Sequence, residues 1–186
     1  MNFVPKSLYL FRHIQSNQVL CSMKQVLKPT QLFQLPFARK EQGTAPYGMR
    51  PARIRKDHWV PILKADFEND QVVTSVVSKL LNYRRYRSVQ PLSKEFLAMP
   101  VSQRNRLLMQ QQVPNTIADL ADILRNKELS NGSVNIQWKD QTDSEYADWP
   151  ESVKMDSKRI TTTRGFRPSY PSSSSAIKSI DTTANA

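Results

Sequence analysis

Three clusters of residues have the types and spacing to do chemistry, and in each that chemistry is contact with nucleic acid. Arg50, Arg53, Arg55 and Lys56 crowd into a stretch broken by Pro46, Gly48 and Pro51, beside Tyr47, His58 and Trp59. A guanidinium pairs with phosphate through a planar fork and also stacks on bases, and aromatic rings offer further stacking faces. The second cluster is Asn82–Arg87, where Arg84, Arg85 and Arg87 alternate with Tyr83 and Tyr86. Phosphate contact competes there with a plainer arrangement, in which one tyrosine packs on the core and the arginines are simply solvated. The third holds Lys158, Arg159, Arg164 and Arg167 with Phe166 and Tyr170, in a segment too polar to build its own core. None of the three is a recognised module: the sequence contains no zinc finger, RNP signature or GxxG clamp.

Other chemistries lack their residues. His13, His58 and Cys21 show no paired metal-ligand spacing, so no metal is expected. Cys21 sits in an apolar strand pattern, where a buried inert thiol is expected rather than a nucleophile. The four scattered glycines make neither a phosphate-cradling loop nor a dinucleotide fingerprint. The acids of 140–156 have no basic or metal partner at readable spacing. The expectation is a protein that is not an enzyme and takes no cofactor. That acidic segment should avoid phosphate, and either packs on the basic body or meets a neighbouring protein through Tyr146 and Trp149.

The charge supports this by its position. The chain carries a formal +11 with a pI near 10.0. Residues 1–112 hold 18 basic and 6 acidic side chains, a net of +12, whereas residues 113–186 hold 9 and 10, a net of −1. An excess confined to one part of a chain points to a directed polyanion contact. No apolar run approaches the roughly 18–20 residues that span a bilayer, so no membrane insertion is expected. A single cysteine cannot form an internal disulfide and fits a reducing compartment. No acid precedes Glu41, while Lys6, Arg12, Lys24, Lys28, Arg39 and Lys40 are all basic, a composition like that of mitochondrial targeting segments. Because Ser7–Phe11 and Gln18–Met23 also read as strands, any such information would lie in a folded part.

These residues need a scaffold. Residues 8–14 and 18–23 are apolar-rich runs around Gln15-Ser16-Asn17, which predicts a β-hairpin. Pro29 opens a short amphipathic stretch ending before Pro36. Residues 38–56 form a long basic loop, and 59–67 the next strand, with Pro61 marking an edge or a bulge. Asn69 or Asp70 caps a helix in which Val73, Val76 or Val77, Leu80 and Leu81 recur at helical steps to about Arg87. The stretch bracketed by Pro91 and Pro100 shows little pattern. A second helix spans about Thr116–Arg125, and Asn131-Gly132 turns into an alternating strand at 134–138. The prediction is an α/β (α+β) domain over 1–156: a small, mainly antiparallel sheet including the N-terminal hairpin, packed by two main helices. A basic, Ser/Thr-rich tail, disordered or ordered by a partner, follows at 157–186.

The order of features resembles a known family. Leu8–Ser22 (LYLFRHIQSNQVLCS), Ile54–Trp59 (IRKDHW) and Ile136–Asp140 (IQWKD) followed by Trp149-Pro150 are similar to blocks of a fungal mitochondrial large-subunit ribosomal protein family. That family also goes under the name of mitochondrial homologous recombination protein, with a transcription-factor label. The similarity runs over roughly 7–155 as spaced short blocks. Its most specific element is a basic-Asp-x-Trp motif, carried by Arg55, Lys56, Asp57 and Trp59. The resemblance implies an α/β protein of the mitochondrial matrix, with the nucleus as a secondary site. Its implied partners are large-subunit ribosomal RNA and neighbouring mitochondrial ribosomal proteins. It also implies a second role in pairing or maintaining mitochondrial DNA, and no catalytic residues.

Overall fold

The computed structural model describes residues 6–35, 58–126 and 132–160. The expected basic loop with Arg50, Arg53, Arg55 and Lys56, and Arg164 and Arg167 of the tail, lie outside the described residues.

The N-terminal hairpin pairs β1 (Ser7–His13) with β2 (Val19–Ser22) in antiparallel register, Leu10 opposite Cys21 and Arg12 opposite Val19. Its turn places Asn17 at φ 53°, a left-handed conformation that asparagine tolerates better than most residues. The Nδ1 of His13 accepts the Ser16 backbone N–H at 3.2 Å and so ties the turn to the strand. On the other side of β1 runs β3 (Trp59–Asp66), also antiparallel. The register slips between Leu10 and Phe11, and Phe11 stands opposite Pro61. Proline has no N–H for the ladder, and the bulge lets it sit in a central strand. Of edge and bulge, the fold uses the bulge.

β4 (Val134–Trp138) pairs antiparallel with β3, and β5 (Val153–Asp156) pairs parallel with β4, giving the order β2-β1-β3-β4-β5. The sheet is therefore mainly antiparallel, as expected, with one parallel edge strand that the sequence does not announce.

Among the described residues, four helices lie between β3 and β4: α1 (Asp70–Val89), α2 (Lys94–Ala98), α3 (Val101–Gln110) and α4 (Gln112–Arg125). Asn69 caps α1, its side chain accepting Gln71 N–H at 3.0 Å. Pro114 falls in the first turn of α4, where a missing N–H costs no helical bond. The stretch between Pro91 and Pro100, expected to show little pattern, thus holds α2, and α3 follows it where no element was expected. Neither buries a residue, which is why no stripe marks them, although Arg, Leu, Met and Gln in α3 are good helix formers.

Val73, Val76 and Leu80 of α1 and Val113, Ile117, Leu120 and Leu124 of α4 pack on one face of the sheet, against Leu8, Leu10, Val19, Ile62, Val134, Ile136 and Trp138. Fully burying each such side chain stabilises by roughly 1.5–3 kcal/mol. Cys21 is buried in this layer, and burial pushes its thiol pKa up against the opposing pull of Arg84. The other sheet face carries a smaller cluster of Phe11, Leu20, Leu35 and Trp59 near the hairpin. A 3-10 turn, Pro29–Gln34, closes the β2 edge: the Gln34 carboxamide accepts Cys21 N–H and donates to Cys21 C=O, both at 2.8 Å. A side chain thereby supplies the hydrogen bonds that a further strand would make, which blunts the edge.

Candidate nucleic-acid interface

The Asn82–Arg87 block at the end of α1 divides into inward and outward residues. Arg84 reaches back to β2, where its Nη1 donates to the Val19 carbonyl at 2.9 Å, with the Gln34 carbonyl 3.5 Å away. Arg87 forms an ion pair with Asp119 of α4. Burial pushes the Asp119 carboxyl up, and the Arg87 guanidinium pulls it back. Tyr83 donates its hydroxyl to Asp122 at 3.1 Å. Three side chains of the cluster thus hold α1 against α4 and the hairpin. Arg85 is exposed, and Tyr86 is 68% exposed, so this pair faces solvent.

Trp59 is 5% exposed, its ring edge-on to His13 at a centroid distance of 5.1 Å. Its indole fills the cluster between β1, β2 and the 3-10 turn, so its position serves packing, and no face is open to a base.

The acidic segment packs on the body. Asp143 is buried in a 3-10 turn, Gln141–Tyr146, with Arg12 Nη1 at 4.0 Å. Burial raises its carboxyl pKa, Arg12 opposes and Asp140 adds to the rise. Arg125 donates to the Asp148 carbonyl at 2.8 Å. Trp149 meets Trp138 edge-on at 5.6 Å and donates its indole N–H to the Ser144 carbonyl. Of the two aromatic residues expected at a protein interface, Trp149 is partly buried on the core and Tyr146 is 50% exposed.

On the sheet face turned away from α1 and α4, Lys158 and Arg159 of the third basic cluster meet strand residues that the sequence did not single out. Register places Tyr9, Lys64, Gln137 and Asp156 in one row across four strands. Tyr9, Lys64 and Gln137 join Gln25, Lys158, Arg159 and Ile160 around a depression of about 510 Å³. That volume is within the range of clefts that hold small ligands or nucleotides. Ile160, a residue assigned to the tail by sequence, is buried, and its N–H bonds the Trp138 carbonyl at 3.2 Å. The acids nearby are engaged. Asp66 accepts from Ser7 at 2.5 Å and pairs with Lys64 at 2.6 Å. Asp156 accepts from the Lys158 N–H at 3.0 Å and from Gln137 at 2.9 Å. The Lys158 amide and then the Gln137 carboxamide hold the Asp156 carboxyl below its ordinary range. Asp156 thus fixes the turn that carries Lys158 and Arg159. The signal for this face was available in the alternation: Tyr9 lies between core residues Leu8 and Leu10, and Gln137 between Ile136 and Trp138.

A family profile described as "Transcriptional regulation of mitochondrial recombination" matches residues 5–94, a span from β1 to the start of α2. A Schizosaccharomyces pombe protein named large ribosomal subunit protein mL67 is 57% identical over 162 residues, covering 87% of this chain and 92% of the relative. A Neurospora crassa protein of the same name is 28% identical over 140 residues, covering 71% of this chain and 44% of the relative. At 57% identity along nearly the whole of one relative, the chain belongs to the fungal mitochondrial large-subunit ribosomal protein family, mL67.

Proposed function

We propose that the protein is a structural component of the mitochondrial large ribosomal subunit, binding ribosomal RNA and supporting mitochondrial translation. The observation that carries this reading is the 57% identity over 92% of a relative named for the large ribosomal subunit. The confinement of a net +12 to residues 1–112 supports it, since ribosomal RNA is the abundant polyanion of such a particle. Phosphate contacts come from the 50–56 loop, from Arg85 and from Arg164 and Arg167 of the tail, whereas Arg84 and Arg87 serve the fold. Neighbouring ribosomal proteins meet the acidic side through Tyr146.

Two experiments test it. Mitochondrial large subunits washed in moderate salt should retain the protein; its loss into the wash would refute a stable component. Arg53→Glu with Arg55→Glu should give a folded protein that fails to join the subunit, and normal incorporation would remove the loop from the interface.

A second reading, a mitochondrial DNA-binding protein of recombination or transcription, is favoured by the family profile over residues 5–94. Phosphate contacts do not distinguish the two nucleic acids. Competition between folded ribosomal RNA and duplex DNA for the full chain does. With about six phosphate contacts, raising salt from 50 to 200 mM weakens duplex binding by roughly 10³, and a flat response would count against both readings.

A further inference from the structure

We infer that the depression on the sheet face opposite α1 and α4 is a site for one unpaired RNA nucleotide, whose base stacks on Tyr9 and whose phosphate meets Lys158 and Arg159. This rests on the ribosomal RNA reading above and narrows it to a form of RNA.

The lining argues for a nucleotide over a backbone track. Tyr9 gives a partly exposed ring braced by Phe11, with stacked centroids 6.3 Å apart, and buried Ile160 supplies an apolar wall. One N–H of the Gln137 carboxamide is held by Asp156, and its second N–H and its Oε1 remain to donate to and accept from a base edge. The cations are unevenly placed. Lys64 is matched by Asp66 within the sheet, and the exposed Lys158 and Arg159 form the rim, with Asp156 and Asp140 within electrostatic reach behind them. A duplex backbone laid across the row would pass Asp66 and Asp156, two carboxylates among the cations. A single nucleotide needs only one phosphate at the rim while its base enters the depression. Sequence-tolerant recognition of unpaired nucleotides combines these two parts, an aromatic platform and a cationic edge. The turn at 157–159 is fixed by Asp156, so the rim is built before any ligand arrives.

The test uses the full chain and two RNA hairpins, one with a single-nucleotide bulge and one fully paired, with binding read by fluorescence anisotropy at fixed salt. The wild type should prefer the bulged hairpin about tenfold, within the range of one base–aromatic stack. Tyr9→Phe should keep that preference. Tyr9→Leu, which preserves the apolar contact with Phe11, should erase it while leaving affinity for the paired hairpin unchanged. Lys158→Gln with Arg159→Gln should weaken bulged binding more than paired binding. A wild type with no preference, or a Tyr9→Leu protein that retains it, would overturn the site. Tighter binding to a bulged DNA hairpin would overturn the assignment to RNA. Failure to bind either RNA at 50 mM salt would instead overturn the underlying ribosomal RNA reading.

Discussion

Arg87→Met should destabilise the fold by about 2 kcal/mol at neutral pH, and the loss should shrink in acid. Arg87 pairs with Asp119, whose side chain is 8% exposed, while that of Arg87 is 41% exposed. Removing one partner of a fully buried pair costs roughly 3–5 kcal/mol, because an uncompensated charge is left behind. A fully exposed pair is worth roughly 0–1 kcal/mol. This pair is buried on the acid side and hydrated on the arginine side, so about 2 kcal/mol is the expected midpoint. With a urea m-value of roughly 2 kcal/mol per M, the unfolding midpoint should fall by about 1 M. The pH dependence follows from the sign of the Asp119 shift. Its folded pKa is raised, and it rises further once the guanidinium is gone. The folded variant therefore takes up a proton at higher pH than the unfolded chain, and it regains stability as pH falls through the raised folded value. The gap between wild type and variant is widest at pH 7 and narrows toward pH 4. Asp119→Asn in the Arg87→Met background should recover stability at pH 7, and urea titrations of the four proteins give the coupling directly. A midpoint unchanged at pH 7, or a deficit equally large in acid, would refute the reasoning and return Arg87 to the solvent-facing cations.

The neighbouring arginines should part in the same way. Arg84→Ala should cost about 1.5–3 kcal/mol, the range of a hydrogen bond to a charged group. Arg85→Gln should stay within about 0.5 kcal/mol of wild type, and should lower the salt slope of RNA binding by about one; urea unfolding and salt-dependent anisotropy check the pair. His13 has its pKa held below the ordinary value by burial and then by His58, and its Nδ1 is an acceptor for the Ser16 N–H. Its contribution is therefore present above pH 6.5 and lost as pH falls through the lowered folded value. Wild type should lose stability relative to His13→Gln between pH 7 and pH 5. The raised carboxyls of Asp119 and Asp143 act in the opposite direction but are common to both proteins. Cys21 is buried with its thiol pushed up, so iodoacetamide should label it only in urea; rapid labelling of the native chain would contradict that placement.

Much of the scaffold was legible because its signals are local. The hairpin, β3, α1, α4 and β4 all follow from alternation, helical steps and capping residues within a dozen positions of one another. What escaped was set by contacts far along the chain. β5 is a four-residue, half-exposed edge segment that exists by pairing with β4, so its own residues carry little pattern. α2 and α3 bury nothing, and a helix without an apolar stripe leaves no periodic trace. The acidic turn reads as a detached surface until Arg12 and Trp138, more than a hundred residues apart, are brought against it.

The arginines at the end of α1 show where a stricter reading was possible. The buried positions Val73, Val76 and Leu80 advance by three and four residues, and the next steps of that stripe fall on Arg84 and Arg87. Helical geometry alone therefore puts these two on the packed side of α1, Arg84 half-buried and Arg87 at its margin, and leaves Arg85 outside, although all three look equivalent as a basic run. The stripe does not reveal what they meet. The Val19 carbonyl and Asp119 lie 65 and 32 residues away, and only the closed fold supplies them. The same argument accounts for the missed sheet face. Once Leu8 and Leu10 are assigned to the core, Tyr9 must point to the opposite side, and the register then stands Lys64 opposite Tyr9 and Gln137 opposite Lys64. Spacing along the chain decides which way a cation or ring points, and register between strands decides what stands next to it. A basic composition becomes an interface only where both leave the charge facing out.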